Sequence, residues 1–262
     1  MNAFRRVLAV SAMVVVVASC SSGSSAPSDS TVNLGTALTL EQAEVLSGIL
    51  FKNFEAGGAT FKVTVPYGPA ATFVLDGRID FTRHIGEANL LGTTTSADKI
   101  ENSSSRLFWT PQDVVEEMDG LPAAMAAKGR SGVKYLARPL TKTSPQDVVL
   151  GFILATSSEQ RENPQLIQQG DARFLRQDTV DGQPVDVYRF GTRTTYFVRR
   201  DNNVLTKIEA QLAVAQGVTV VDFMSHGPVE ITGPLQDEVV QSSEIPDVLA
   251  KLTGSSPPTT TG

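Results

Sequence analysis

The chain has 262 residues, with 28 Asp and Glu against 22 Lys and Arg, which gives a net charge of −6. Hydrophobic residues make up 41% of it, so it is long and apolar enough to bury a sizeable core. A moderately acidic chain without a cluster of Lys and Arg is a poor nucleic-acid binder, and no nucleic-acid partner is expected.

The first residues have the pattern of an export signal. Two arginines precede an apolar run over residues 7–18, and small residues lead into Cys20. A basic segment, a short apolar segment and small residues before a cleavage site are typical of a secretory signal peptide. The apolar run is also much shorter than the roughly 20 residues needed to cross a bilayer. The sequence therefore predicts a lipoprotein signal peptide over residues 1–19.

Cys20 is the one cysteine of the sequence. The residues before it resemble the lipobox of bacterial lipoproteins, in which this thiol carries a diacylglycerol, so Cys20 is the predicted lipid-attachment residue. The alternative is an ordinary secreted protein with a free thiol, which is a liability in an oxidising compartment. We expect a protein anchored by lipid to the extracytoplasmic side of the cell membrane.

Low-complexity segments flank the part of the sequence that is able to fold. Residues 20–38 and 254–262 are rich in Ser, Gly, Thr and Pro and lack hydrophobic periodicity. Such a composition does not bury enough apolar surface to order itself. We expect a flexible tether over 20–38, one domain over 39–253 and a disordered tail over 254–262.

The domain is predicted to begin with one amphipathic helix and then to change to strands. Thr39 and Gln42 form a capping box before apolar residues spaced by three and four, and glycines end the helix at 57–58. Alternation of apolar and polar residues then predicts strands, with Gly77 as a bulge or bend. These strands cover residues 60–65, 72–82, 85–95 and 106–109.

The middle of the chain is predicted to be a helical insertion near residues 110–168. Thr110-Pro111-Gln112-Asp113 and Ser144-Pro145-Gln146-Asp147 share a hydroxyl followed by proline and an acid. This pattern is typical of a helix start. Two helices are therefore expected to begin there, and the first is expected to resume over 122–128.

Strands return after residue 172. An Asp181-Gly182 turn and an Asp201-Asn202-Asn203 turn separate alternating segments and predict two hairpins. Further strands are predicted over 218–224 and, at an edge, over 230–232, with a short helix over 246–252. The pattern as a whole indicates an α+β domain built on an antiparallel sheet.

Several of these segments resemble the LppX/LprG family of actinobacterial lipoproteins. The resemblance rests on V-D-G-Q-P-V-D-V-Y-R-F (180–190), T-Y-F-V-R-R-D-N-N-V-L (195–205) and V-T-V-V-D-F-M-S-H-G-P-V-E-I (218–231). Members are similar in shape to LolA and LolB. The resemblance implies a strongly curved antiparallel half-barrel with helices across its concave face, an apolar cavity between them, and binding and movement of acylated lipids across the cell envelope.

The apolar faces of the predicted strands and of the second helix supply the candidate cavity. On the residues alone an ordinary packed core is the commoner interpretation, because cores and acyl-chain cavities use the same residue types. The candidate cavity residues are Phe61, Val63, Val65, Phe73, Leu75, Ile79, Phe81, Trp109, Phe152, Ile153 and Leu154.

The sequence offers little for catalysis. It contains two histidines, His84 and His226, and no G-x-S-x-G, H-E-x-x-H or Cys/His spacing. We expect no catalytic residues, no metal and no cofactor, and so no enzyme.

Two functions remain open at this point. The first is a membrane-anchored carrier whose ligand is an acylated lipid or glycolipid. An envelope transporter is its candidate protein partner. The second is a non-enzymatic protein-interaction or sensor module of LolA-like fold with a filled core. Acyl or glycosidic hydrolysis is the weakest alternative.

Overall fold

The computed structural model describes residues 35–96 and 99–254. The chain divides into Met1–Asn33 and Leu34–Gly262, and the structural description concerns the second unit. The predicted signal peptide, Cys20, most of the tether and nearly all of the tail lie outside the described residues.

Within the described residues the fold consists of one sheet, five α-helices and two 3-10 turns. The strands are β1 (Thr36–Ala37), β2 (Gly58–Gly68), β3 (Ala71–Asp80), β4 (Ile85–Thr95), β5 (Ile100–Trp109), β6 (Asp113–Glu117), β7 (Tyr135–Pro139), β8 (Arg173–Val180), β9 (Gln183–Phe190), β10 (Thr194–Arg199), β11 (Leu205–Ala210), β12 (Thr219–His226) and β13 (Val239–Gln241). The helices are α1 (Leu40–Ala56), α2 (Leu121–Ala126), α3 (Pro145–Leu154), α4 (Pro164–Gln169) and α5 (Pro246–Thr253), and the 3-10 turns are Gln236–Glu238 and Ser242–Glu244.

The strands run in the order β1-β8-β9-β10-β11-β12-β2-β3-β4-β5-β6-β7-β13, and the two end strands do not pair with each other. All described pairs are antiparallel except β7 with β13, which is parallel. One hydrophobic core takes side chains from β9 through β6 together with α1 and α3. A flat row of those strands would be roughly 40 Å wide at about 4.8 Å per strand, so the sheet curves around the helices. The expected α+β half-barrel is confirmed.

The first helix begins and ends as predicted. The Thr39 side chain accepts a hydrogen bond from the Gln42 N–H at 3.2 Å, and the Thr39 N–H donates to Gln42 Oε1 at 3.0 Å. Gly57 ends α1 with φ 82°, a left-handed conformation that favours glycine. These local contacts satisfy part of the free backbone groups at the two ends of the helix.

No helix starts at Thr110, so that prediction is wrong. Thr110 Oγ1 accepts from the N–H groups of Gln112 and Asp113, and Asp113 O accepts from the Thr110 N–H at 2.9 Å. These bonds close a turn, after which β6 pairs with the end of β5. Residues 110–168 therefore contain the strands β6 and β7 as well as α2, α3 and α4.

Two other local predictions are wrong. Residues 230–232 form no strand, and Ile231 instead packs against Phe108 and Tyr135 on the convex face of the sheet. Of the two roles predicted for Gly77, the bulge is wrong, because its register with β2 is unbroken. A Cβ on Gly77 would lie 2.1 Å from the Glu87 carbonyl oxygen, so glycine there permits a close approach of β4.

The segment after Pro234 completes the sheet at its far end. It supplies β13, which pairs with β7, and α5, which packs against α2. Val240, Ile245 and Val248 are the buried residues that hold it there. A segment that looks polar in the sequence is thus part of the folded domain.

A buried carboxylate ties α3 to the sheet. Asp147 is 1% exposed, and it accepts from Arg138 Nη1 and Nη2 at 2.8 and 2.9 Å and from the Thr141 N–H at 2.8 Å. Arg138 also donates through Nε to Glu116 Oε1 at 2.9 Å. Burial alone would raise the pKa of Asp147, but the bonds from Arg138 and Thr141 outweigh it and hold that pKa below its usual value.

We expect Asp147→Ala to lower the free energy of unfolding by about 3 kcal/mol, because Arg138 loses its main partner in a half-buried place. Since the pKa of Asp147 is lowered on folding, its contribution is present above the unfolded pKa of about 3.9 and is lost as the pH falls through the folded value. Urea unfolding between about pH 3 and pH 7 measures both effects. Asp178→Ala, which removes an exposed ion pair with Arg176, is the matched control and should change little; equal losses in the two variants would contradict the assignment.

Candidate functional site

Most of the predicted cavity residues form a filled core. They are Phe61, Val63, Val65, Leu75, Ile79, Phe81, Trp109 and Ile153, and each is 2% exposed or less. Phe61 and Trp109 pack edge to face with ring centroids 6.3 Å apart. Because so little of their surface is exposed, these side chains contact one another and the helices, although Trp109 also borders the smaller cavity described below.

The other three predicted residues are only half-buried. Phe73, Phe152 and Leu154 pack against the edge of the same core. Phe73 is the informative one, because it lies on β3 two residues from Leu75, on the same face of the sheet. Leu75 is 0% exposed, and the cover provided by the helices therefore ends between these two residues.

The same change occurs on the neighbouring strands. On β4 the concave face passes from the buried Ala88 to the half-buried Leu90, and on β5 it passes from the buried Leu107 to the half-buried Ser105. The ends of β3, β4 and β5 that carry the β2–β3 and β4–β5 hairpins thus project beyond the helices with their concave face open.

The open face carries a cleft of about 570 Å³, a volume within the usual range for ligand sites. We call it the hairpin cleft. Its lining residues are Tyr67, Ala71, Thr72, Phe73, Gly92, Thr93, Thr94, Lys99, Glu101, Asn102 and Ser103.

The hairpin cleft combines an apolar wall with a polar margin. The rings of Tyr67 and Phe73 lie 6.3 Å apart and form the apolar wall. Gly92 lets the Ser103 hydroxyl lie close over the strand, since a Cβ at this position would come 2.6 Å from Ser103 Oγ. At the margin Lys99 Nζ lies 2.6 Å from Glu101 Oε1. This arrangement suits an amphiphilic ligand, with apolar contact on one side and hydrogen-bonding groups on the other.

A smaller apolar cavity of about 190 Å³ lies at the opposite end of β4 and β5. Trp109 and Phe108 line it from the sheet, and Ile231 and Pro234 line it from the segment that crosses the convex face. It falls below the usual volume of a ligand site.

The two histidines lie in separate places. His226 is half-buried against Phe223, with ring centroids 5.5 Å apart. Burial lowers the pKa of His226, and the positive charge of the nearby Arg199 lowers it further. His84 Nε2 lies 3.7 Å from Glu159 Oε1 at the surface. Over residues 35–96 and 99–254 no three His, Cys, Asp or Glu side chains come together as metal ligands. In that part of the chain no helix has the length and apolar character needed to span a membrane.

The sequence prediction missed much of the hairpin cleft. Tyr67, Gly92 and Ser103 line the cleft and are not among the predicted cavity residues, although alternation along β3 and β4 puts Gly92 on the face of Phe73. Periodicity identifies a shared face, but it does not say where along a strand the covering helices end. The sequence therefore indicates which residues share the concave face, but it does not indicate which of them lie in the cleft.

Comparison with solved structures finds chains of similar fold. LprF from Mycobacterium bovis is 14% identical, with a TM-score of 0.45 over 76% of this chain and 99% of LprF. An uncharacterized conserved protein from Thermus thermophilus is 8% identical, with a TM-score of 0.37 over 76% and 97% of the two chains. In a MucA/MucB complex from Pseudomonas aeruginosa the matched chain is 15% identical, with a TM-score of 0.33, and this chain spans 60% of its length.

LprF belongs to the LppX/LprG family, which three segments of this sequence resemble. With TM-scores below 0.5 and identities of 15% or less, these similarities carry no argument about what this chain does. No family model matches this chain, and no curated protein matches it. The functional argument therefore rests on the described side chains.

Leu75 and Leu90 face each other across β3 and β4 and provide a direct test of where the core ends. We expect Leu75→Ala to lower the free energy of unfolding by about 3 kcal/mol, because it leaves a void in a filled core. Leu90→Ala should cost about 1 kcal/mol or less, since its side chain is already half-exposed. Chemical denaturation of both variants measures the difference, and a small loss for Leu75→Ala would indicate an open cavity at that position.

Proposed function

We propose that this chain is a lipid-anchored envelope protein that holds the acyl part of an amphiphilic lipid, such as a phospholipid or glycolipid, and assists its transfer across the cell envelope. The observation that supports this most directly is the hairpin cleft, with its aromatic wall and polar margin on the open concave face. No catalytic step is required, because the protein would act by solvating the ligand.

The energetics set what the cleft must provide. An acyl chain leaving a bilayer loses roughly 0.8 kcal/mol per methylene if it meets water. In the hairpin cleft it would contact Tyr67 and Phe73 and, toward the core, Leu90. The head group would stay at the margin near Lys99 and Glu101. Deeper seating, against Val63 or Leu75, requires α1 and α3 to move away from the sheet.

The anchor and the tether complete the proposal. Cys20 would carry the diacylglycerol, and residues 20–38 would connect it to the domain. Two acyl chains give stable membrane attachment, whereas one is marginal. The domain would then work within reach of the membrane from which its ligand comes.

A non-enzymatic protein-interaction or sensor module is the second candidate, and the filled core favours it. Phe61, Val63 and Leu75 leave no room for a ligand in the conformation described. A module of this kind needs no cavity, and its contacts would lie on the surface.

The hairpin cleft is tested by Phe73→Asp, with Leu91→Asp as its matched control. Leu91 is 47% exposed and lies on the opposite face of β4. We expect Phe73→Asp to reduce lipid loading at least about tenfold, since a carboxylate against an acyl chain is strongly unfavourable, while Leu91→Asp loads normally. The full chain is incubated with phosphatidylglycerol vesicles that contain a fluorescent acyl chain, and bound lipid is counted by native mass spectrometry.

Gly92→Leu provides a second variant that fills the cleft without adding charge. It should also reduce loading, provided that the Ser103 hydroxyl turns away from the added side chain, and thermal unfolding of the variant checks that it folds. Normal loading of both Phe73→Asp and Gly92→Leu would refute the cleft assignment. The absence of lipid from the wild-type chain would favour the interaction module.

The anchor is tested separately by Cys20→Ala. We expect the wild-type chain to sediment with membranes and the variant to appear in the soluble envelope fraction, because removal of the thiol removes the acylation site. Incorporation of radiolabelled palmitate into the wild type alone is the confirming measurement. Membrane sedimentation of Cys20→Ala in the same amount as the wild type would contradict the assignment.

A further inference from the structure

One end of the sheet carries the β2–β3 and β4–β5 hairpins together with the β9–β10 and β11–β12 connections. Backbone hydrogen bonds join these connections to one another. The Thr95 N–H donates to the Ala70 carbonyl at 2.7 Å, and the Gln216 N–H donates to the Pro66 carbonyl at 2.9 Å. A third bond of the same kind links the β9–β10 and β11–β12 connections. They form one continuous rim, which we call the hairpin end.

Exposed apolar side chains gather at the hairpin end. They are between 44% and 68% exposed, and they belong to Leu40, Tyr67, Ile100, Leu166 and Val218. Leu40 begins α1 just after β1, and Leu166 lines a small cavity with Phe190, the last residue of β9. Apolar residues exposed singly are ordinary on a soluble protein, but a group of them in one region marks an interaction site.

Two of the connections at the hairpin end contain no charged residue. Residues 211–218 read Q-L-A-V-A-Q-G-V, and the β2–β3 connection is Pro69-Ala70. The turn beside them carries one charge of each sign, Asp98 and Lys99. At the opposite end the β3–β4, β8–β9 and β10–β11 turns are charged, with Arg83, Asp181, Arg200 and Asp201. Charged groups are costly to take out of water, so the hairpin end is better suited to meet an apolar phase.

The predicted tether joins the domain at the hairpin end. Strand β1 pairs with the start of β8, and Arg173 there pairs with Arg189 near the end of β9. Residues 21–34 lie between Cys20 and Gly35, and they reach roughly 50 Å when fully extended at about 3.3 Å per residue. A lipid anchor at Cys20 therefore keeps a bilayer within that distance of the hairpin end.

We propose that the hairpin end docks on the bilayer that holds the anchor, with Tyr67, Ile100 and Val218 among the lipid head groups. The proposal rests on the lipid anchor and the lipid binding proposed above. A bilayer fits this surface because the apolar side chains come from several loops of low charge at the end where the tether enters. Tyrosine is also a residue that membrane interfaces favour.

Docking in this orientation places the hairpin cleft against the bilayer. Tyr67 and Lys99 line that cleft, and they lie at the hairpin end. An acyl chain would then pass between the bilayer and Phe73 without crossing water, whose contact costs roughly 0.8 kcal/mol per methylene. The docked surface thus selects lipids of the membrane that carries the anchor.

Fluorescence quenching measures which end of the domain meets the bilayer. Cys20 is the one cysteine of the sequence, so in the acylated protein an introduced cysteine is the only thiol open to a bimane label. Ile100→Cys and Val218→Cys are labelled, purified from membranes and reconstituted into phosphatidylglycerol vesicles that contain nitroxide-labelled lipid. Met224→Cys is the matched control, because it is 69% exposed and lies toward the opposite end of β12.

We expect the label at positions 100 and 218 to lose most of its emission and the label at position 224 to keep it. A tether alone would let the domain turn freely and would give similar quenching at all three positions. Quenching at positions 100 and 218 that does not exceed that at position 224 would overturn the proposal and leave the hairpin end to a protein partner.

Lipid uptake from two sources tests the consequence of docking. The variant carries Ile100→Asp and Val218→Asp, and Met224→Asp is its matched control. We expect the double variant to load lipid from vesicles at least about tenfold more slowly, since carboxylates replace apolar contacts with the bilayer. Its loading from detergent micelles should equal that of the wild type, because neither residue lines the hairpin cleft.

Equal rates from vesicles in the double variant and in Met224→Asp would also overturn the proposal. The two experiments keep docking and lipid binding apart, because quenching needs no bound ligand. A wild-type protein that shows the expected quenching but takes up lipid from neither source would support the docking surface and contradict the proposed function. Normal loading with uniform quenching would do the reverse.

Discussion

The mismatch in length between helices and strands determines most of this structure. The longest helix, α1, has 17 residues and is about 25 Å long at 1.5 Å per residue. Strand β2 has 11 residues and spans roughly 36 Å at 3.3 Å per residue. Even laid along the strands, the helix cannot cover them. The covered part is a filled core, and the uncovered part carries the hairpin cleft.

Elements whose ends are fixed by local chemistry were predictable from the sequence. The capping box of Thr39 and Gln42 and the Asp181-Gly182 turn are such cases, because each satisfies its own backbone groups within a few residues. The curved sheet followed from the alternation of the strands together with the family resemblance. The cleft did not follow, since Phe73 and Leu75 have the same pattern in the sequence and differ only in what covers them.

The two matching helix signals show where local chemistry stops being decisive. Thr110-Pro111-Gln112-Asp113 and Ser144-Pro145-Gln146-Asp147 are both followed by two valines, yet the first leads into β6 and the second begins α3. At the first site the end of β5 offers a strand to pair with, and Thr110 closes the turn. At the second site Arg138 of β7 holds Asp147 in place. Long-range partners, which one sequence does not reveal, separate the two outcomes.

The packing of Trp109 has a consequence for spectroscopy. Trp109 is the only tryptophan of the chain, and it is 2% exposed between the sheet and the helices. Gly86 lies against it so closely that a Cβ would come 2.1 Å from the indole ring. Its fluorescence therefore reports on one place, the contact between β4, β5 and the core. A ligand that parts the helices from the sheet shifts the emission to longer wavelength, whereas a ligand confined to the hairpin cleft leaves the emission unchanged.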